Sequence, residues 1–228
     1  MESIEIISIR LGDIRLDFPS EKQLAALVSA WDDDYNHQVC FLGAGQFAAA
    51  SKISEYGSMI ASCDLLLPSV PGLASRSRAA SGGPVGAHRS IPVASKRQEY
   101  LSYFEPLDDE EDPFHPYQAL STLSVFLSAL EQRRGSVFLV GGNLKAIQRA
   151  EKNVRSTFPS LRVVGRSPGD YEEKEEAALM QALQKAGPDI IVVGSSVKDG
   201  ELWVPRHMRH TKSGIFLYDA SIIEVLAG

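Results

Sequence analysis

Cysteine is scarce in this chain: there are two in 228 residues, Cys40 and Cys63, both in apolar surroundings and neither at a zinc-ligand spacing. That excludes a disulfide framework and fits two reduced core residues in a cytoplasmic protein. No apolar run reaches the ~18 residues of a membrane span. No basic-then-apolar leader opens the chain either, because "MESIEIISIR" alternates charge with isoleucine. An excess of basic residues is also missing, and a formal net charge of −6 argues against a general nucleic-acid binder. No Asp-x-Asp element stands at a strand end, so no metal is implied, and no cofactor is expected.

What is present is alternation. Short apolar runs of strand type ("QVCFLGAG", "CDLLLPS", "GSVFLVGG", "LRVVG", "PDIIVVGSS", "GIFLYDA") are separated by segments with helical spacing. "IEIISIRLGDIRL" reads as one strand or as a hairpin turning at Gly12-Asp13. Ser20 with Gln23 forms a capping-box signature ahead of "EKQLAALVSAW". "QFAAASKISEYGSMIAS" reads as one helix with a soft spot at Gly57, and Asn143 can cap "LKAIQRAEKNVRSTF". Glu172 to Glu176 suit the first turn of a helix that Gly187 stops, and "ELWVPRHMRH" reads as a short helix kinked at Pro205. The pattern predicts an α/β fold of one domain over 1–228, with a mostly parallel sheet flanked by helices.

From about 71 to 117 the composition shifts. "PGLASRSRAASGGPVGAHRSIPVASKRQEY" is rich in Gly, Pro and Ser and carries Arg76, Arg78, Arg89, Lys96 and Arg97; an acidic block at 107–112 follows. This segment reads as a long charged insertion without regular structure, functional or disordered.

Sheets of this kind bind ligands beyond the carboxyl ends of their strands. "GAG" (43–45), "PSVPG" (68–72), "GGN" (141–143), "RSPGDY" (166–171), "GSSVKDGE" (194–201) and "DASIIE" (219–224) are thereby assigned to one rim. Gly141-Gly142 supports two readings there: a nucleotide phosphate held at a helix N-terminus, or a close strand-to-helix turn.

The ordered series on that rim resembles the WecB/TagA/CpsF (WecG/TagA) glycosyltransferases. "GSVFLVGG", "FPSLRVVGRSPGDYEEKEE", "AGPDIIVVGSS" and "IIEVLAG" are similar to family segments in the same order. The resemblance implies a Rossmann-like fold that transfers an N-acetylmannosamine-type sugar from a UDP donor to a polyprenyl-linked acceptor in envelope polysaccharide synthesis. It implies nucleotide-sugar contacts at Gly43, Gly45, Gly141, Gly142, Gly169, Tyr171, Gly194, Glu201 and Trp203. It also implies a cytoplasmic location, peripheral at the inner membrane face, while a homo-oligomer or a protein partner stays open.

The departures are chemical. Gly43-Ala44-Gly45 stands where the family has Thr-x-Asn, and Leu67-Pro68-Ser69-Val70 where it has Leu-Pro-Asp-Gly. The family's aspartate is taken as general base, and an unaided serine alcohol, with a pKa far above neutrality, cannot accept a proton as a carboxylate does. Ser69 either serves the acceptor, with Asp64 or a loop histidine taking the proton, or is an ordinary turn residue. Thr122 falls about where another family Asp stands, Glu224 replaces a further one, and Lys198-Asp199-Gly200-Glu201 with Trp203 keeps only part of a family signature. For Glu201 and Trp203 the plain alternative is a capping glutamate and a core tryptophan. Arg206, with His207, Arg209 and His210, is a diphosphate candidate or a solvated face. The sequence ends at Leu226-Ala227-Gly228, where the family continues into a basic tail, and Arg76 and Arg78 are candidates to replace that tail's grip on phosphate. Transfer is therefore expected to be weakened or lost. The alternative is a non-catalytic nucleotide-sugar sensor, or a scaffold that binds a partner through its charged loop.

Overall fold

Gly12 adopts φ +63 and closes a hairpin between β1 (Glu2–Leu11) and β2 (Ile14–Phe18), so the hairpin option for this stretch is the one adopted. The computed structural model describes residues 2–31, 34–82, 88–93 and 113–228. By its internal contacts the chain divides into two compact units, residues 1–33 with 39–125 and residues 34–38 with 126–228.

In the first unit, β1 pairs on its other edge with β5 (His88–Val93), giving an antiparallel sheet of order β2-β1-β5. Pro92 lies in the edge strand, where its missing N–H breaks no ladder on the outer side. Helix α1 (Glu21–Ala30) starts at the expected capping box: Gln23 N donates to Ser20 Oγ (3.2 Å) and Ser20 N to Gln23 Oε1 (2.7 Å). Strands β3 (Asn36–Leu42) and β4 (Leu65–Pro68) pair in parallel, Val39 opposite Leu65 through Leu42 opposite Pro68.

Between those strands the structure corrects the sequence reading. The single helix expected there is two, α2 (Ala44–Ala50) and α3 (Ser54–Ser62), with the break at 51–53. Gly57 is a close-approach residue: a Cβ there would lie 2.6 Å from the Ala50 carbonyl oxygen.

The second correction concerns 71–117. Pro71–Ala80 is helix α4, with Pro71 in the first turn, where its lack of an N–H is harmless, and Leu73, Ala74 and Ser77 buried on one face. Residues 88–93 form β5, so the backbone of Arg89 lies in a strand. Lys96, Arg97 and the acidic block at 107–112 lie outside the described residues.

After α5 (Ala119–Gln132), the second unit has four parallel strands, β6 (Ser136–Val140), β7 (Arg162–Ser167), β8 (Ile190–Val193) and β9 (Gly214–Tyr218), in the order β9-β8-β6-β7. Helix α6 (Leu144–Thr157) is capped as expected, with Ala146 N donating to Asn143 Oδ1 (2.9 Å), and α7 (Glu173–Ala186) stops at Gly187, which takes φ +51. Helices α8 (Trp203–His207) and α9 (Ile222–Ala227) complete the unit, and Asn153 Nδ2 on α6 donates to Leu226 O (2.8 Å) at the end of α9. Phe138, Val140, Leu183, Ile191, Val193, Trp203 and Phe216 share one buried cluster. Each such side chain contributes on the order of 1.5–3 kcal/mol on burial. The class is α/β, with parallel strands flanked by helices, as the alternation predicts.

Candidate functional site

The strand ends of the first unit bring Gly43, Gly45 and Ser69 to one place. Ser69 N donates to Leu42 O (2.9 Å), which ties the end of β4 to the end of β3, and a Cβ on Gly43 would lie 3.6 Å from Ser69 Oγ. Gly43 caps α2, and its N–H is taken by Gln46 Oε1 (2.7 Å). Gly45, in the first turn of α2, has open space where a Cβ would go.

Asp64 precedes β4 while Ser69 follows it, so at ~3.3 Å per residue the two stand about 16 Å apart along the strand. Asp64 cannot take the Ser69 proton, which removes that pairing. His115 is brought closer to this strand end: Tyr117 N donates to Pro68 O (2.8 Å), and the His115 ring lies 4.5 Å from that of Tyr117. His115, Tyr117 and Thr122 line a cavity of about 420 Å³. Among the described residues no carboxylate hydrogen-bonds to Ser69 Oγ.

Arg76 and Arg78 sit on α4, not on a mobile loop over the rim. Arg78 Nη2 donates to Phe114 O (3.0 Å), and Arg76 lines a concavity beside the β1–β2 turn instead of the space around Ser69.

The second unit gathers Gly141, Gly142, Gly169 and Gly194 at the ends of β6, β7 and β8. Their backbone N–H groups already have acceptors: Gly141 N donates to Ser167 O (3.0 Å), Gly142 N to Ser195 O (2.9 Å), Gly169 N to Gly142 O (2.8 Å) and Gly194 N to Val140 O (2.8 Å). A ligand phosphate held here would have to use the first turn of α6 instead. The glycines are also sterically required. Gly141 has φ +123 and its Cβ would fall 2.8 Å from Gly194 Cα, while a Cβ on Gly194 would fall 2.5 Å from Ile223 Cγ1. Ser195 Oγ donates to Glu224 Oε1 (2.6 Å), a cross-link absent from the sequence reading.

Trp203 has no exposed surface, and its Nε1 donates to the Tyr171 hydroxyl (2.6 Å). Burial, with the charges of Glu176 and Asp199, raises the Tyr171 phenol pKa above its ordinary value, and the bond from Trp203 pulls it back in part. Trp203 is thus the core tryptophan of the plain alternative. His207 stacks on it at 4.6 Å and bridges Trp203 O (2.7 Å) and Glu176 Oε1 (2.8 Å), so it is packed inward, while Arg209 and His210 are exposed. Arg206 is ion-paired with Asp199.

Glu201, half-buried in a single turn at Gly200–Leu202, faces a group that the sequence did not single out: Tyr218, the last residue of β9. Burial first, then Glu201 and Asp219, push the Tyr218 phenol up to about 12. The loop before that turn is strained, with Ser196 at φ +67 and Asp199 at φ +65. The available signal was position alone, a tyrosine closing the last parallel strand. Among the described residues no group of three or more His, Cys, Asp or Glu is placed to hold a metal ion, and no helix is long and apolar enough to cross a membrane.

Residues 117–228 match the model of the glycosyl transferase WecG/TagA/CpsF family. No curated protein matches the chain.

Proposed function

We propose, from the premise that residues 117–228 belong to the WecG/TagA/CpsF glycosyltransferase family, that this chain binds a UDP-linked sugar but transfers it poorly or not at all. The inherited reaction is transfer of an N-acetylmannosamine-type sugar to a polyprenyl-linked acceptor at the cytoplasmic membrane face. The observation that carries the reading is that no described carboxylate hydrogen-bonds to the hydroxyl of Ser69, which follows β4 where the resemblance implies the family's general base. Transfer needs the attacking alcohol to lose its proton as the bond to UDP breaks, and a positioned base contributes about 10²–10⁴-fold to such a step.

Glu201, Tyr218 and Gly200 support the donor side. Gly200 lies beside the half-buried Tyr218 hydroxyl at the end of β9, and that hydroxyl can donate to an acceptor oxygen of the nucleotide. Thermal unfolding with UDP and UDP-N-acetylhexosamines tests binding, because a ligand at 100 times its dissociation constant adds about 2.7 kcal/mol. A rise in Tm without glycoside formation is the expected result. Brisk transfer by the wild type would refute the loss, and no shift at all would favour a scaffold that binds a protein partner. Ser69→Asp supplies the missing base and should raise transfer, read as acceptor-dependent UDP release, by up to about 10²-fold.

A further inference from the structure

Beside the β1–β2 turn, a concavity of about 850 Å³ opens between that turn and helices α2, α3 and α4. It does not include Ser69 or the glycines of the strand ends. Three of its lining residues are arginines from two separate segments, Arg10 and Arg15 on the hairpin and Arg76 on α4, against a single lining carboxylate, Asp13. Phe47 and Ile60 give it apolar wall.

Arg10 and Arg15 are directly opposite in the hairpin register, so both side chains leave the same face of the sheet. Like charges in that position repel, and a counter-charge nearby offsets the repulsion. Asp17, fully buried, answers one of the two: Arg15 Nε donates to it at 3.1 Å, and Arg15 Nη2 donates to Cys63 O at 2.6 Å. Asp17 also accepts from Ser8 Oγ (2.6 Å) and Leu66 N (3.0 Å), so its oxygens are committed and Arg15 is held in place. Arg10 and Arg76, both exposed, form no ion pair with any described residue. One fixed guanidinium and two free to swing inward surround a volume of small-molecule size.

We propose that this cavity binds a phosphate monoester, its oxygens held by the guanidinium forks of Arg10, Arg15 and Arg76 and its organic part against Phe47 and Ile60. Arginine matches the geometry of phosphate with paired, charge-assisted hydrogen bonds, and an apolar wall beside them favours an esterified anion over a bare one. The same group is offered by a soluble sugar or glycerol phosphate and by a lipid headgroup of the phosphatidic acid type. The site is separate from the one assigned to UDP.

Calorimetric titration of the full chain with glycerol 3-phosphate, and flotation with phosphatidylcholine vesicles with and without phosphatidic acid, tests this. Binding of the soluble probe identifies a soluble ligand, and binding only to vesicles containing phosphatidic acid identifies a headgroup. The double variant Arg10→Ala/Arg76→Ala should weaken whichever binding occurs by roughly tenfold or more. Arg209→Ala, outside the cavity, should leave it unchanged, and the UDP-induced Tm shift should survive in the double variant. Both arginines are exposed, so the variant should fold, which its melting curve verifies. No binding of either probe, or equal binding by wild type and double variant, overturns the proposal.

Discussion

Two strand-to-helix turns, one in each unit, look alike in sequence and differ in the structure. Gly43-Ala44-Gly45 follows β3, and Gly141-Gly142 follows β6. At the first, Gly43 has an ordinary φ of −90 and Gly45 faces open space. At the second, both glycines have positive φ and a side chain on either would strike a neighbour, Gly194 in one case and Ile223 in the other. Glycine is therefore optional at Gly45 and obligatory at the turn after β6. A glycine pair at a strand end is not evidence of a phosphate cradle when its own N–H groups close the turn.

The sharpest way to break that comparison is Gly141→Ala. The backbone angle and the clash with Gly194 together should cost about 3 kcal/mol or more. The urea midpoint should fall accordingly, and an unchanged midpoint would show that the turn has room after all. Tyr171→Phe comes next. It removes the acceptor of the buried Trp203 N–H, and a donor left unpaired should cost about 1–3 kcal/mol in the same measurement.

Tyr218 sharpens the comparison through pH. Its phenol ionises near the ordinary 10.0 in the unfolded chain and at about 12 in the fold, so between those values the folded state keeps a proton that the unfolded state has released. Its contribution to stability is complete below pH 10 and is lost as pH rises through 12. Absorbance titration should show a late phenol near pH 12 that is missing in Tyr218→Phe, and that variant should lose less stability between those pH values than the wild type. The smallest effect belongs to Gly45→Ala, which gains helix propensity in an open position and should stabilise by about 0.5 kcal/mol. A loss there would mean that the turn after β3 is as tightly packed as the other.

Much of the fold was legible because its signals are local. The Ser20–Gln23 capping box, the Asn143 cap and the Gly187 stop each depend on residues within one turn, and each forms as the sequence predicts. Helix α4 was missed because its composition, Gly72 with Ser75 and Ser77, reads as loop. Pro71 at its start was the usable signal, and burial of Leu73, Ala74 and Ser77 supplies what propensity lacks. Strand β5 was missed for a similar reason, since a strand bearing Pro92 needs an edge to occupy and β1 provides it.

By itself the sequence determined the alternation of strands and helices, their caps, and the presence of a serine, not a carboxylate, at position 69. These follow from periodicity, from short-range hydrogen bonding and from the identity of one residue. Only the tertiary structure decided which carbonyls receive the glycine N–H groups, that Trp203 is buried on Tyr171, that Asp199 faces Arg206, and that Arg10, Arg15 and Arg76 border one cavity. The reason is distance along the chain. Arg15 and Arg76 are 61 residues apart in sequence, and no local rule states which of the chain's other charges will come to stand between them.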